Sequence, residues 1–82
     1  MFIHIIDKQH EVVVNASTIV KMEAYLYEGH PHLRMDLIKG TVVIHFSEEA
    51  QRTYFLDSIN EFLEAGRSFM KVSVKEVRTN NQ

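Results

Sequence analysis

The residues best equipped for chemistry in this 82-residue chain are its five histidines, His4, His10, His30, His32 and His45. His30 and His32 stand in a His-x-His spacing, which on an extended strand points two imidazoles to the same side. Two imidazoles so placed begin a zinc site. A complete one needs a third protein ligand, for which strand adjacency nominates His45 or Glu28, and outer groups that orient the rings. The local sequence argues the other way. Gly29-His30-Pro31-His32 holds the only proline of the chain and reads as its strongest turn, which makes His30 and His32 exposed loop residues without partners. No metal site and no cofactor is expected. His4 and His45 interrupt otherwise apolar strands and read as half-buried residues bonded to backbone rather than as catalytic bases.

Other catalytic chemistry finds little support. The chain has no cysteine, which removes disulfides, thiolate ligands and thiol nucleophiles together. Ser17, Thr18, Ser47, Ser58, Ser68 and Ser73 are the candidate nucleophiles, and none sits in a Gly-x-Ser-x-Gly context or beside a motif histidine. The three glycines are scattered, so no loop cradles a phosphate. The acids gather on one helix and at turns instead of facing each other across a cleft. The expectation is a protein that is not an enzyme.

Surfaces for partners are better marked. In the stretch 19–28, Val20, Met22, Ala24 and Leu26 alternate with Lys21, Glu23, Tyr25 and Tyr27, the period of a strand with one face on the core. Lys21, Tyr25 and Tyr27 then project from the opposite, open face, where tyrosines offer large apolar area with a polar tip, as interfaces use. A second surface is basic. Arg67, Lys71, Lys75 and Arg78 stand against Glu76 alone, after a segment from Glu48 to Glu64 with five acids and one arginine. These four residues are the candidate contacts of a nucleic-acid-binding alternative, although a formal net charge of −2 argues against a protein built mainly to hold nucleic acid.

The elements that position these residues follow from period and punctuation. Ser47 to Gly66 reads as an amphipathic helix, capped by Ser47, acidic at its start through Glu48 and Glu49, and stopped by Gly66. Its apolar stripe is Phe55, Ile59 and Phe62, with Gln51, Leu56 and Leu63 beside them. Strands are expected at 2–6, 11–14, 19–28, 33–37, 41–46 and 69–77, the first two joined by the turn Asp7-Lys8-Gln9-His10. The fold class is α+β, a mainly antiparallel sheet of five or six strands with one helix packed on one face. One compact domain spans 1–78, and 79–82 form a polar tail.

Met1 ahead of a strand, Val14-Asn15-Ala16 with Ile19 and Glu23 following, and Leu37 and Gly40 ahead of a strand and an acidic helix start resemble the pattern of the small flagellar FlbD-type proteins. The likeness covers residues 1–49. It rests on hydrophobic and turn positions, so it implies architecture and supplies no site residue. Phe69-Met70-Lys71-Val72, following sheet and helix, is similar to the LytTR type of DNA-binding domain, with too few matching basic residues to carry over a DNA contact.

Hydrophobic content of 45% with 24% charged residues is that of a folded soluble domain, and no apolar run approaches the roughly 18 residues of a membrane span. A cytoplasmic address fits the absence of cysteine. A domain this small buries only about three-fifths of its unfolded surface, so self-association, as a homodimer, is an expected source of stability. The function expected is that of an interaction module, a small regulatory or assembly protein docking a protein partner or itself through the open sheet face or an edge strand.

Overall fold

The computed structural model describes residues 1–80. Strands form where β-branched and alternating apolar residues run: β1 (Phe2–Ile6), β2 (Glu11–Asn15), β3 (Ile19–Tyr27), β4 (His30–Leu37), β5 (Gly40–His45), β6 (Phe69–Ser73) and β7 (Glu76–Asn80), with helix α1 (Glu49–Ala65) between β5 and β6. A single 3-10 turn, Ala16–Thr18, joins β2 to β3, started by Asn15, whose side chain accepts the Ser17 N–H at 3.1 Å. The protein is α+β. The described residues form seven strands in two sheets, however, where the pattern implied five or six in one.

The difference comes from a break in the last strand. Residues 69–77 are not one strand: β6 runs parallel to β1, beside antiparallel β2, while β7 runs antiparallel to β5 and completes the four-stranded sheet β3-β4-β5-β7. Across the break, the Val74 N–H donates to Ile6 O at 2.8 Å and the Lys75 N–H to His45 O at 3.2 Å. The chain therefore changes sheets while keeping its backbone groups paired. Asp7 fastens the crossing, its carboxylate accepting the N–H groups of Gln9 and His10 at 2.8 Å and of Val77 at 3.0 Å. These donors, led by Val77, hold the Asp7 pKa down at about 2. Thr79 and Asn80, expected in a polar tail, pair with Val42 and Thr41 in β7, and the rest of that tail lies outside the described residues.

The turn between β3 and β4 also differs. It is Glu28-Gly29, with φ of 52° and 79°, the two positive values of a type I′ hairpin. His30, Pro31 and His32 consequently belong to β4 and not to a loop. Pro31 is buried there and tolerated because it sits at the last rung beside β5: its carbonyl accepts the Phe46 N–H at 3.0 Å, and only the return bond is forfeited.

The core lies between the two sheets and α1. Ile3 and Ile5 of β1, Leu33 and Met35 of β4, Ile44 of β5 and Val77 of β7 meet Phe55, Ile59 and Phe62 of the helix, all buried, and Phe46 packs on Phe55 with ring centroids 5.5 Å apart. Gln51 and Leu63 of the expected stripe are exposed. Glu48, not Ser47, is the residue that caps α1; Gln51 reaches back so that its Oε1 accepts the N–H groups of Ser47 and Glu48 at 3.1 and 3.3 Å. The helix ends at Gly66, φ 66°, where the Gly66 and Arg67 N–H groups each return to carbonyls of Leu63 and Phe62 at 3.3 Å. Among the described residues no helix is long and apolar enough to cross a membrane.

The inner face of β3 is less covered than its alternation implied. Of Val20, Met22, Ala24 and Leu26, only Met22 packs against the core, while Val20 and Leu26 are 69% and 63% exposed. β3 is an edge strand, and a register shift between Ile19 and Lys21 leaves Val20 unpaired and bends the strand.

Candidate functional site

The outer face of the four-stranded sheet gathers the side chains that alternate with the core. Lys21, Tyr25 and Tyr27 of β3 lie opposite Asp36, His32 and His30 of β4, His32 lies opposite His45 of β5, and His45 lies opposite Glu76 of β7. Tyr25 stacks on His32 at 5.4 Å between centroids, Tyr27 meets the same ring edge-on at 5.7 Å, and His32 stacks on His45 at 4.5 Å with 15° between planes. His30 lies 5.2 Å from His45. The tyrosines expected on this face and the histidines expected in a loop thus form one cluster of rings.

Around the rings, three pairs of opposite charge join residues two apart on one strand. Lys21 approaches Glu23 at 4.0 Å, Arg34 Nε donates to Asp36 at 2.8 Å, and Arg78 approaches Glu76 at 3.3 Å. Such exposed pairs contribute at most about 1 kcal/mol each, and their main effect is to leave the face electrically balanced. His45 is the least comfortable group. Its Nε2 is buried without a hydrogen-bond partner, so the backbone bond expected for it is not made there. Burial first, then the neighbouring His32, Lys75 and His30, push its pKa below the usual histidine value. His4, on the other sheet, pairs with the Glu11 carboxylate through Nδ1 and meets Phe69 edge-on at 4.5 Å, a side-chain setting instead of the backbone one expected.

The helix grips this face from behind. Arg52 Nη1 donates to the carbonyls of Tyr25 and His32 at 2.7 and 3.1 Å, and its side chain is only 12% exposed. Nothing in the sequence distinguishes Arg52 from an ordinary surface charge. Its role appears only once the β3–β4 register is known.

The basic residues fare differently from the tyrosines. Lys71 lies on β6, its Nζ 5.8 Å from the Phe69 ring, Arg67 follows the helix stop, Lys75 sits in the crossing, and Arg78 faces outward on β7 beside Glu76. The break between sheets divides them, so the four do not line one strand. Arg67 and Lys71 instead flank a groove of about 430 Å³ between α1 and β6, walled by Tyr54, Phe62, Phe69 and Met70. Sequence reasoning missed this groove because it depends on the angle between helix and strand, which no local pattern encodes.

Comparison of the chain with protein-family models, with curated proteins and with solved structures gives no match.

Proposed function

We propose that this protein is a non-enzymatic interaction module, a small regulatory or assembly protein that self-associates through the outer face of its four-stranded sheet, centred on Lys21, Tyr25 and Tyr27. The observation that supports this reading is that among the described residues no layer covers that face, although it bears the ring cluster Tyr25, Tyr27, His30, His32 and His45. A second copy suits it. Lys21, Arg34 and Arg78 are balanced by Glu23, Asp36 and Glu76, so two such faces meet without net repulsion, as a two-fold contact between identical patches requires. The exposed edge of β3 adjoins the same surface and adds unpaired backbone groups.

The test is molar mass by light scattering over a wide concentration range, comparing wild type with Tyr25→Lys and with Tyr27→Lys, whose side chain is the more exposed. A dimer lost in both variants is the expected result. A wild-type monomer at every concentration overturns self-association. The nucleic-acid alternative, through Arg67, Lys71, Lys75 and Arg78, draws less support from positions divided between two sheets. It requires oligonucleotide affinity that falls steeply with salt.

A further inference from the structure

We propose that His30, His32 and His45 are the protein ligands of a divalent first-row transition metal ion, zinc fitting the donor set best, bound on the outer face of the four-stranded sheet. The backbone brings the three together. Because the Phe46 N–H donates to Pro31 O at 3.0 Å, Pro31 and Phe46 form a hydrogen-bonded rung, and the adjacent pair His32 and His45 falls on a non-hydrogen-bonded rung. On such rungs opposite Cα atoms approach to about 4.5 Å and side chains are closest. His30, two residues before His32, shares its face and reaches His45 diagonally, with ring centroids 5.2 Å apart.

Two further observations prepare the donors. His32 Nδ1 lies 2.9 Å from the carbonyl oxygen of His30; a carbonyl only accepts, so Nδ1 carries the proton and Nε2 keeps its lone pair. That is the outer-sphere bond which fixes the tautomer of metal-bound histidines. His45 Nε2 is buried without a hydrogen-bond partner, so no hydrogen bond holds that nitrogen where it stands. The rings open onto a shallow cavity of about 270 Å³ whose wall includes Tyr27, Glu28, Glu76 and Arg78, so Glu76 or water can take a fourth position. As the rings stand they are stacked, and among the described residues no three donors converge on a point. Closing the site takes rotation of the exposed His30 and of His45 about their side-chain torsions, where imidazole χ2 has broad freedom, with the backbone held in register. Neutral imidazoles with an open fourth position suit zinc, cobalt, nickel or copper rather than magnesium or calcium.

All three proposed ligands belong to one chain, so metal binding is tested separately from self-association. It is tested on protein without a histidine tag, by calorimetric titration with Zn²⁺ and by the visible absorption of bound Co²⁺. One ion per chain and a tetrahedral cobalt spectrum are expected. His32→Gln and His30→Gln weaken binding by ~100-fold or more, beyond what loss of an outer-sphere partner alone causes, while His10→Gln leaves it unchanged. His45→Gln is included with its fold checked by circular dichroism, and His30→Gln, at an exposed position, keeps the test decisive if His45→Gln does not fold. No saturable binding below millimolar metal, or binding that survives in both His30→Gln and His32→Gln, overturns the proposal.

Discussion

Along β4, Leu33 and Met35 are sealed in the core, whereas His30 and Arg34, on alternate positions of the same strand, face solvent. The two faces of this sheet share one backbone and answer to different forces. The inner face is held by burial and the outer by polar and ring contacts that water competes for, so the first carries most of the folding energy and the second stays open to solvent.

The sharpest way to break the comparison is from the inside. Phe55→Ala removes a fully buried ring that packs on Phe46 and is expected to cost about 3–5 kcal/mol, a large share of the roughly 5–15 kcal/mol that holds a domain together. Urea unfolding followed by circular dichroism measures it. Arg52→Met tests the link between the faces. It keeps the packed stem and removes the charged donors to the Tyr25 and His32 carbonyls, with an expected loss of about 1–3 kcal/mol. Hydrogen exchange should then quicken in β3 and β4 before it does in β1.

Acid provides a smaller and more selective break. The Asp7 pKa is lowered from 3.8 to about 2 in the folded protein, so the unfolded chain takes up the proton first as pH falls. The stability Asp7 contributes is fully present above about pH 4 and is lost as pH falls through its folded value. Midpoints of urea unfolding between pH 5 and pH 2 should drop more steeply for wild type than for Asp7→Asn. Parallel curves would show that the carboxylate is not what holds the crossing. At the other extreme, Tyr27→Lys should change stability by no more than about 0.5 kcal/mol while abolishing the proposed self-association. Equal damage to both would mean that the outer face serves folding.

What could be read in advance divides along the same line. The stripe of Phe55, Ile59 and Phe62 and the alternation of Leu33, Met35, Val42 and Ile44 announce burial through spacing alone, because helix and strand periods are local properties. Lys21, Tyr25 and Tyr27 were legible on the open face for the same reason. The histidine cluster was not, since Pro31 drew the turn two residues too far along the chain. Glu28-Gly29, between two alternating segments, was the available signal for a two-residue hairpin. That His45 lies opposite His32 follows from the β4–β5 register, which the turn before Gly40 sets. The break at Val74 and Lys75 had no local signal: it exists because Ile6 and His45 offer carbonyls on different sheets.

The crossing from β6 to β7 also has a kinetic meaning. Phe2 pairs with Phe69 and Ile44 with Val77, so the segment 69–80 joins the earliest strand of the chain to its middle. Contacts so distant in sequence must pay the loop-closure entropy before they are rewarded, which places such topologies toward the slower, millisecond-to-second end of small-domain folding. During vectorial synthesis the β3–β4–β5 meander can assemble as it emerges, but β1 and β2 have no sheet to join until β6 is made. For that interval the N-terminal hairpin is an orphan with open edges on both sides.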